Sequence, residues 1–259
     1  MNNSNIRARE QFKYYVFLSV LYAILMVTAQ AVAYRMIEIG PFLEPGGIFI
    51  FPATFAVSDI IAEVYGPTLA RRSIFIALFA QAFFSVIPVW VNSLPHPVAW
   101  HHIDAYKLVF GSSWLVFLSN LAAVLVGMLL NTQIIGKTKL ITHGRLFSVR
   151  SLFSSAVGEF VLTAIIVSIA LVPVEGVNTG TKLFINMFLF KLAFSFVAVF
   201  PASIVVVLLK KLDNADVYEE RVSFNPISKF LKRDEHKPDN VINITSVKKQ
   251  SKKSSNSQM

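Results

Sequence analysis

The sequence predicts an all-helical integral membrane protein with six transmembrane helices and both termini on the cytoplasmic side. Three observations predict it. Hydrophobic residues make up 54% of the 259 residues and charged residues 15%, with a mean hydropathy of +0.59, whereas soluble domains carry about 25% charge. The apolar residues fall into six runs, each near the ~20 residues that cross a bilayer core. Lys and Arg are one-sided: the segments that six spans place inside hold twenty of them, and the outer ones hold only Arg35, Lys107 and Lys182. That asymmetry sets orientation, so the net charge of +9 is a topology signal rather than a nucleic-acid footprint. The absence of cysteine excludes a disulfide framework, thiolate metal sites and thiol catalysis.

Taken in order, residues 1–13 form a basic cytoplasmic segment, 14–211 the six-helix domain, and 212–259 a basic cytoplasmic tail. The tail is polar and serine-rich, which predicts disorder from about residue 232. The first run is Tyr14 to Tyr34. Ala29-Gln30-Ala31 and Ala31-Val32-Ala33 resemble signal cleavage sites, but a run of about 20 residues exceeds a signal h-region of about 7–15, so a retained helix is predicted. The other runs are 47–65, 72–94, 107–131, 150–172 and 183–209, with most prolines at or near their ends. Pro52 opens the second run, and Pro201 inside the sixth predicts a kink. In the outer loop 95–106, His96, His101, His102 and Asp104 offer donors for a metal site. The expected reading is instead an interfacial belt of Trp90, Trp100 and Tyr106, with no metal. Runs two and five are the middle helices of two three-span halves, an arrangement that inverts one half relative to the other.

Four ionisable residues fall inside the runs: Asp59, Glu63, Glu159 and Lys191. Each costs roughly 2.5–3.5 kcal/mol on insertion scales, so such residues are rarely kept without a purpose. Counting ~1.5 Å per residue, Glu159 lies about 14 Å from the cytoplasmic end of run five and Lys191 about 12 Å from the outer end of run six. Their depths nearly coincide in a core about 30 Å thick. Asp59 has no basic neighbour in its own helix. Gln30, Thr54, Ser58, Gln81, Asn120, Thr163 and Ser195 add neutral polar groups. Glu63 is expected to pair with Arg71 or Arg72, and Glu159 with Lys191 is either a buried ion pair or part of a binding cavity. Carboxylates on separate helices accept N–H donors and phenylalanines stack on flat rings. Phe51, Phe55, Phe184, Phe188, Phe190 and Phe194 are available, which suits a small planar heterocycle.

The stretch FPATFAVSDIIAEVYGPTLARR (51–72), the span-five segment RSLFSSAVGEFVLT (150–163) and the ending LKKLDNADVYEERVSFNPI, with Asp216, Tyr218, Phe224, Asn225 and Pro226, resemble the queuosine precursor transporter family. The resemblance covers roughly residues 12–230. It implies a bacterial inner-membrane protein, similar to vitamin uptake proteins, that imports 7-deazaguanines such as preQ0, preQ1 or queuine. Two positions depart from the family pattern: Leu162 stands where relatives have Asp, and Gln30 where Asn is usual.

Together these readings give expected substrate contacts at Asp59, Glu159, Lys191, Gln30, Thr54, Phe55 and Thr163. Gating or structural roles are expected for Glu63, Tyr65, Arg71 and Arg72. No cofactor or nucleic acid is expected; the expected partners are the deazapurine and membrane lipid, and assembly into a homo-oligomer stays open. No nucleotide-binding loop, metal motif or nucleophile–base pair marks an enzyme; an intramembrane hydrolase would need Ser58 with Lys191. Two rival readings keep the membrane fold but change the role: a transporter of another small heterocycle, and the substrate-capture subunit of an ATPase-driven vitamin importer. The spacing Ala29-x-x-x-Ala33, which can admit a partner helix, is the hint for the capture subunit.

Overall fold

The computed structural model describes residues 13–219 apart from 34, 41, 98, 99 and 112. The segment before it, the tail from 220 onward and the Phe224-Asn225-Pro226 motif lie outside the described residues. Six helices long and apolar enough to cross a membrane account for most of the rest. They are α1 (Lys13–Val32), α2 (Phe51–Tyr65), α3 (Pro67–Asn92), α5 (Ser113–Ile141), α6 (Phe147–Ile166) and α8 (Val177–Leu212). Two short helices, α4 (Ile103–Phe110) and α7 (Val172–Glu175), complete the set. The six-helix membrane fold expected from the runs is the one observed.

The chain breaks where its chemistry requires a break. Pro52 sits in the first turn of α2 and Pro67 in the first turn of α3, where a missing N–H is harmless. Between them Gly66 has φ +94, a conformation that residues with a Cβ avoid. A Cβ there would also meet the Glu219 carboxylate at 2.5 Å. α6 continues through a π-helical turn, Val167–Leu171, into α7.

Three features depart from the sequence expectation. α5 runs to Ile141 rather than ending near 131. It carries Lys139, expected in a loop, into a buried position where three oxygens accept from its ammonium. α3 starts at Pro67 rather than at 72, so Arg71 is a helical rather than a linker residue. The connection between α1 and α2 contains an antiparallel hairpin, β1 (Met36–Ile39) paired with β2 (Phe42–Pro45) in the register Ile37↔Glu44, followed by a 3-10 turn at Gly46–Phe49. Four-residue strands without alternating polarity leave little sequence signal.

α2 is the axis of the bundle. Its span is 67% buried, the highest share among the six, and it contacts α1, α3, α5, α6 and α8. The other helices turn apolar faces outward: Phe17, Phe79, Phe196, Phe200 and Ile204 are all at least half exposed. Such a continuous apolar surface belongs in lipid, and the chain is a multi-pass membrane protein. Two glycines bring α5 and α6 together. A Cβ on Gly127 would meet the Leu162 Cβ at 2.7 Å, and one on Gly158 would meet the Phe55 ring at 2.8 Å and the Asn131 Cβ at 2.9 Å. Small residues at such crossings let backbones approach in lipid. Leu162 is spent on this contact and is fully buried in the apolar core.

At the hairpin end, a Cβ on Gly47 would meet the Ala29 carbonyl at 2.9 Å. Ala29 is fully buried. The small face of α1 is therefore used within the chain, and Ala29 is not free to receive a partner helix.

Candidate functional site

The buried polar residues follow a spacing of four along two antiparallel helices. α2 carries Phe51, Phe55, Asp59 and Glu63, and α6 carries Ser151, Ser155, Glu159 and Thr163. Residues four apart share a helix face, so the two stripes meet as a ladder, which α8 completes with Lys191, Ser195 and Lys210.

At one end of the ladder both carboxylates are met by cations, and Arg150 Nη2 is the donor left buried without a partner among the described residues. Glu63 Oε2 accepts from Arg150 Nη1 at 2.9 Å and Oε1 from Lys210 Nζ at 2.7 Å, with Lys139 Nζ at 4.0 Å. Lys139 also donates to the carbonyls of Glu63 and Val217 and to Asp216 at 2.7 Å, and Lys210 lies 3.0 Å from Asp216. Burial alone would raise the Asp216 carboxyl, but Lys139 and Lys210 hold it below its ordinary value. The segment after α8 straps this network down. Tyr65 donates to Asp213, the Val217 N–H to the Val64 carbonyl, and the Thr68 hydroxyl to Glu219 at 2.5 Å. The Tyr218 ring lies 4.3 Å from the Lys139 ammonium. The expected pairing of Glu63 with Arg71 or Arg72 is corrected. Both arginines lie on α3, whereas α6 and α8 deliver Arg150 and Lys210 to the carboxylate.

One step along, Asp59 is fully buried and accepts three hydrogen bonds: from Asn131 at 2.7 Å, Ser151 at 2.5 Å and Ser155 at 3.1 Å. With about four acceptor positions on a carboxylate, one remains.

The far end is the opposite. Glu159 accepts one bond, from Ser195 at 2.7 Å, and its Oε2 is buried without a partner. Lys191, 2% exposed, donates among the described residues only to Thr163 at 3.1 Å and lies 5.2 Å from the Phe51 ring centroid. Among the described residues no carboxylate approaches Lys191 within 4.0 Å. A direct Glu159–Lys191 ion pair is therefore not formed, although the two interact electrostatically. Lys191 interacts likewise with Glu44, which the hairpin buries completely with both carboxylate oxygens unpartnered. Burial pushes the Glu44 carboxyl up to about 7, against the opposing pull of Lys191. A buried polar group left unsatisfied costs about 1–3 kcal/mol, more when charged. Three such oxygens belong to the two carboxyl groups that interact electrostatically with Lys191, which sets this end apart from the Glu63 end.

The remaining expected residues divide. Phe55 packs on the backbone of α6 at Gly158. The Thr54 hydroxyl bonds its own helix at the Phe51 carbonyl, 2.6 Å away. Gln30 belongs to a separate group between α1, α3 and α5: it donates to Ser85 at 2.5 Å, while Gln81 donates to the Met26 carbonyl and accepts from Asn120. The Ser58 hydroxyl is buried without a partner and makes no bond to Lys191. Among the aromatics, Phe160, Phe184 and Phe188 pack on one another, as do Phe49, Phe190 and Phe194. Of the six aromatics available for stacking, Phe51 is the one placed beneath Lys191.

The site also holds Glu44, Asn131, Ser151, Ser155, Arg150, Lys139 and Lys210, which the sequence reading does not reach. The four-residue stripe on α6 is a readable signal for the serines. Glu44 has none, lying just outside an apolar run.

Six membrane-length helices bury a row of charges, with the carboxylates of one end paired and those of the other unpartnered, and comparison with known proteins gives the arrangement a family. No curated protein and no solved structure matches the chain. The family model described as putative vitamin uptake transporter matches residues 45–206, well over half of the chain. That match takes in α2, α3, α5, α6 and most of α8, with the whole ladder except Glu44 and Lys210, and the chain belongs to this family of transporters.

Proposed function

We propose that the chain imports 7-deazaguanine precursors of queuosine across a bacterial inner membrane. The observation that carries this reading is the unfilled end of the ladder, where Glu159 Oε2 offers an acceptor, Lys191 has two spare N–H groups and Phe51 supplies an aromatic face. The 2-amino-pyrimidinone edge of a 7-deazaguanine presents adjacent N–H donors to a carboxylate, and its carbonyl accepts from an ammonium. The site lies between the first three spans (α2) and the last three (α6, α8), where substrate sits in carriers built from repeated halves. Asp59, one step further, receives the substrate's N–H groups as the halves rock, with Asn131, Ser151 and Ser155 holding it meanwhile. The motifs at 51–72 and 150–163 point to the same substrate class. Leu162, engaged with Gly127, leaves Glu159 as the acid of α6 that meets the base.

The test is uptake of a radiolabelled 7-deazaguanine by the purified full chain in proteoliposomes. Saturable uptake by the chain alone is expected, and so is restored tRNA queuosine in a precursor-synthesis mutant supplied with the base. Absence of both would overturn the assignment, and uptake only after ATPase subunits are added would favour a capture subunit.

In this reading the Glu63 end faces the cytoplasm. A reporter active only in the periplasm should be active when fused after Pro97 or Gly176 and silent after Gly144 or Asp213. The reverse pattern would invert the protein.

A further inference from the structure

The binding end of the ladder has more acceptors than its own donors can satisfy. Glu44 contributes two unpartnered oxygens and Glu159 one. Lys191 has already given one of its three N–H groups to Thr163, so two remain for three oxygens, each able to accept more than once. Two carboxyl groups stand against one ammonium, and Glu44, which burial pushes toward its protonated form, takes on charge most readily when a cation pairs with it. The enclosure is complete: Glu44 is 0% exposed, Glu159 0% and Lys191 2%. Buried charge of one sign persists only when something pairs with it. β2 holds Glu44 on its own strand, apart from α2, α6 and α8, and the register Ile37↔Glu44 fixes its direction.

We propose that Glu44 makes the carrier selective for a substrate whose ring bears a protonated amine. This rests on the deazapurine reading and names the member of that class the site fits. Glu159 and Lys191 take the pyrimidinone edge, and the exocyclic arm reaches Glu44. A primary aliphatic amine is charged at neutral pH, as lysine is, so an aminomethyl arm supplies both the missing positive charge and up to three N–H donors. A nitrile arm has neither, and would leave both Glu44 oxygens unpartnered. Sites built around hydrogen-bonding groups reject analogues that lack the complementary group far more strongly than apolar pockets reject a missing methylene.

The experiment measures initial uptake of 7-aminomethyl-7-deazaguanine and 7-cyano-7-deazaguanine by the full chain in proteoliposomes, for the wild type and for Glu44→Gln. The wild type is expected to favour the aminomethyl compound at least tenfold. Glu44→Gln should lower its uptake about tenfold more than that of the cyano compound, so that the preference disappears. The wild-type ratio needs no substitution and stands as a test even if the variant fails to fold. Equal uptake of both compounds by the wild type overturns the proposal. So does a Glu44→Gln variant that loses both in proportion, which is the signature of a carboxyl that carries a proton or supports the hairpin. If the wild type takes up neither compound, the precursor assignment itself falls, and the role of Glu44 with it.

Discussion

Glu159→Gln is expected to leave the six-helix fold intact and to cut uptake by about 10- to 150-fold. The amide is isosteric and can still accept from Ser195, so the fold loses no hydrogen bond. The site loses a charge-assisted acceptor at Oε2, worth about 1.5–3 kcal/mol, because that oxygen has no protein partner to fall back on. A rival reading makes Glu159 and Lys191 a buried ion pair. Removing one partner would then cost about 3–5 kcal/mol of stability, and removing both would restore it. Lys191 donates to Thr163 and Glu159 accepts from Ser195 without meeting each other, so the expected result is a stable double variant, Glu159→Gln with Lys191→Met, that does not transport. Thermal unfolding in detergent and uptake of the two single variants and the double decide it. A double variant that recovers both stability and uptake would remove Glu159 from the site.

Glu63→Gln should behave in the opposite way, with a large loss of stability. Its carboxylate is 1% exposed and is met by Arg150 and Lys210, with Lys139 close by. Without it, among the described residues Lys139 and Lys210 keep only the partly exposed Asp216 as a carboxylate partner, and Arg150 keeps none. Breaking a buried ion pair from one side costs about 3–5 kcal/mol. Part of that should return when Lys210→Met is added, because the second change removes a stranded charge. The variant is expected to melt well below the wild type, or to be recovered in poor yield, and an unchanged melting temperature would show that the network contributes little. Strap and network together join α2, α3, α5, α6 and α8 at the Glu63 end.

The depth of these two carboxylates, and the helix face they occupy, follow from counting along an apolar run. The pairing of a polar stripe on α2 with one on α6 does not, because it rests on contacts between helices far apart in the chain. The six spans follow from length and composition, because a bilayer admits only segments that satisfy their own backbone. The motif at 51–72 leads to the transporter family by resemblance alone. The local chemistry at Gly66-Pro67 is also visible, although the apolar run places the helix start five residues late. The hairpin is not visible, since two four-residue strands carry too short a pattern.

What the sequence determined by itself is therefore a six-span carrier with acids buried along its axis. Only the tertiary structure decided which of those acids is occupied. Asp59, Glu63 and Glu159 look alike as letters in apolar runs, and within one helix nothing distinguishes them. Their difference lies in how many donors other helices bring to each: three cations near Glu63, three neutral donors on Asp59, one on Glu159 and none on Glu44. That number depends on the rotation and register of helices far apart in the chain, fixed by close contacts such as Gly127 with Gly158. In a medium without water to make up the shortfall, a carboxylate that its neighbours leave unpartnered is the one available to a substrate.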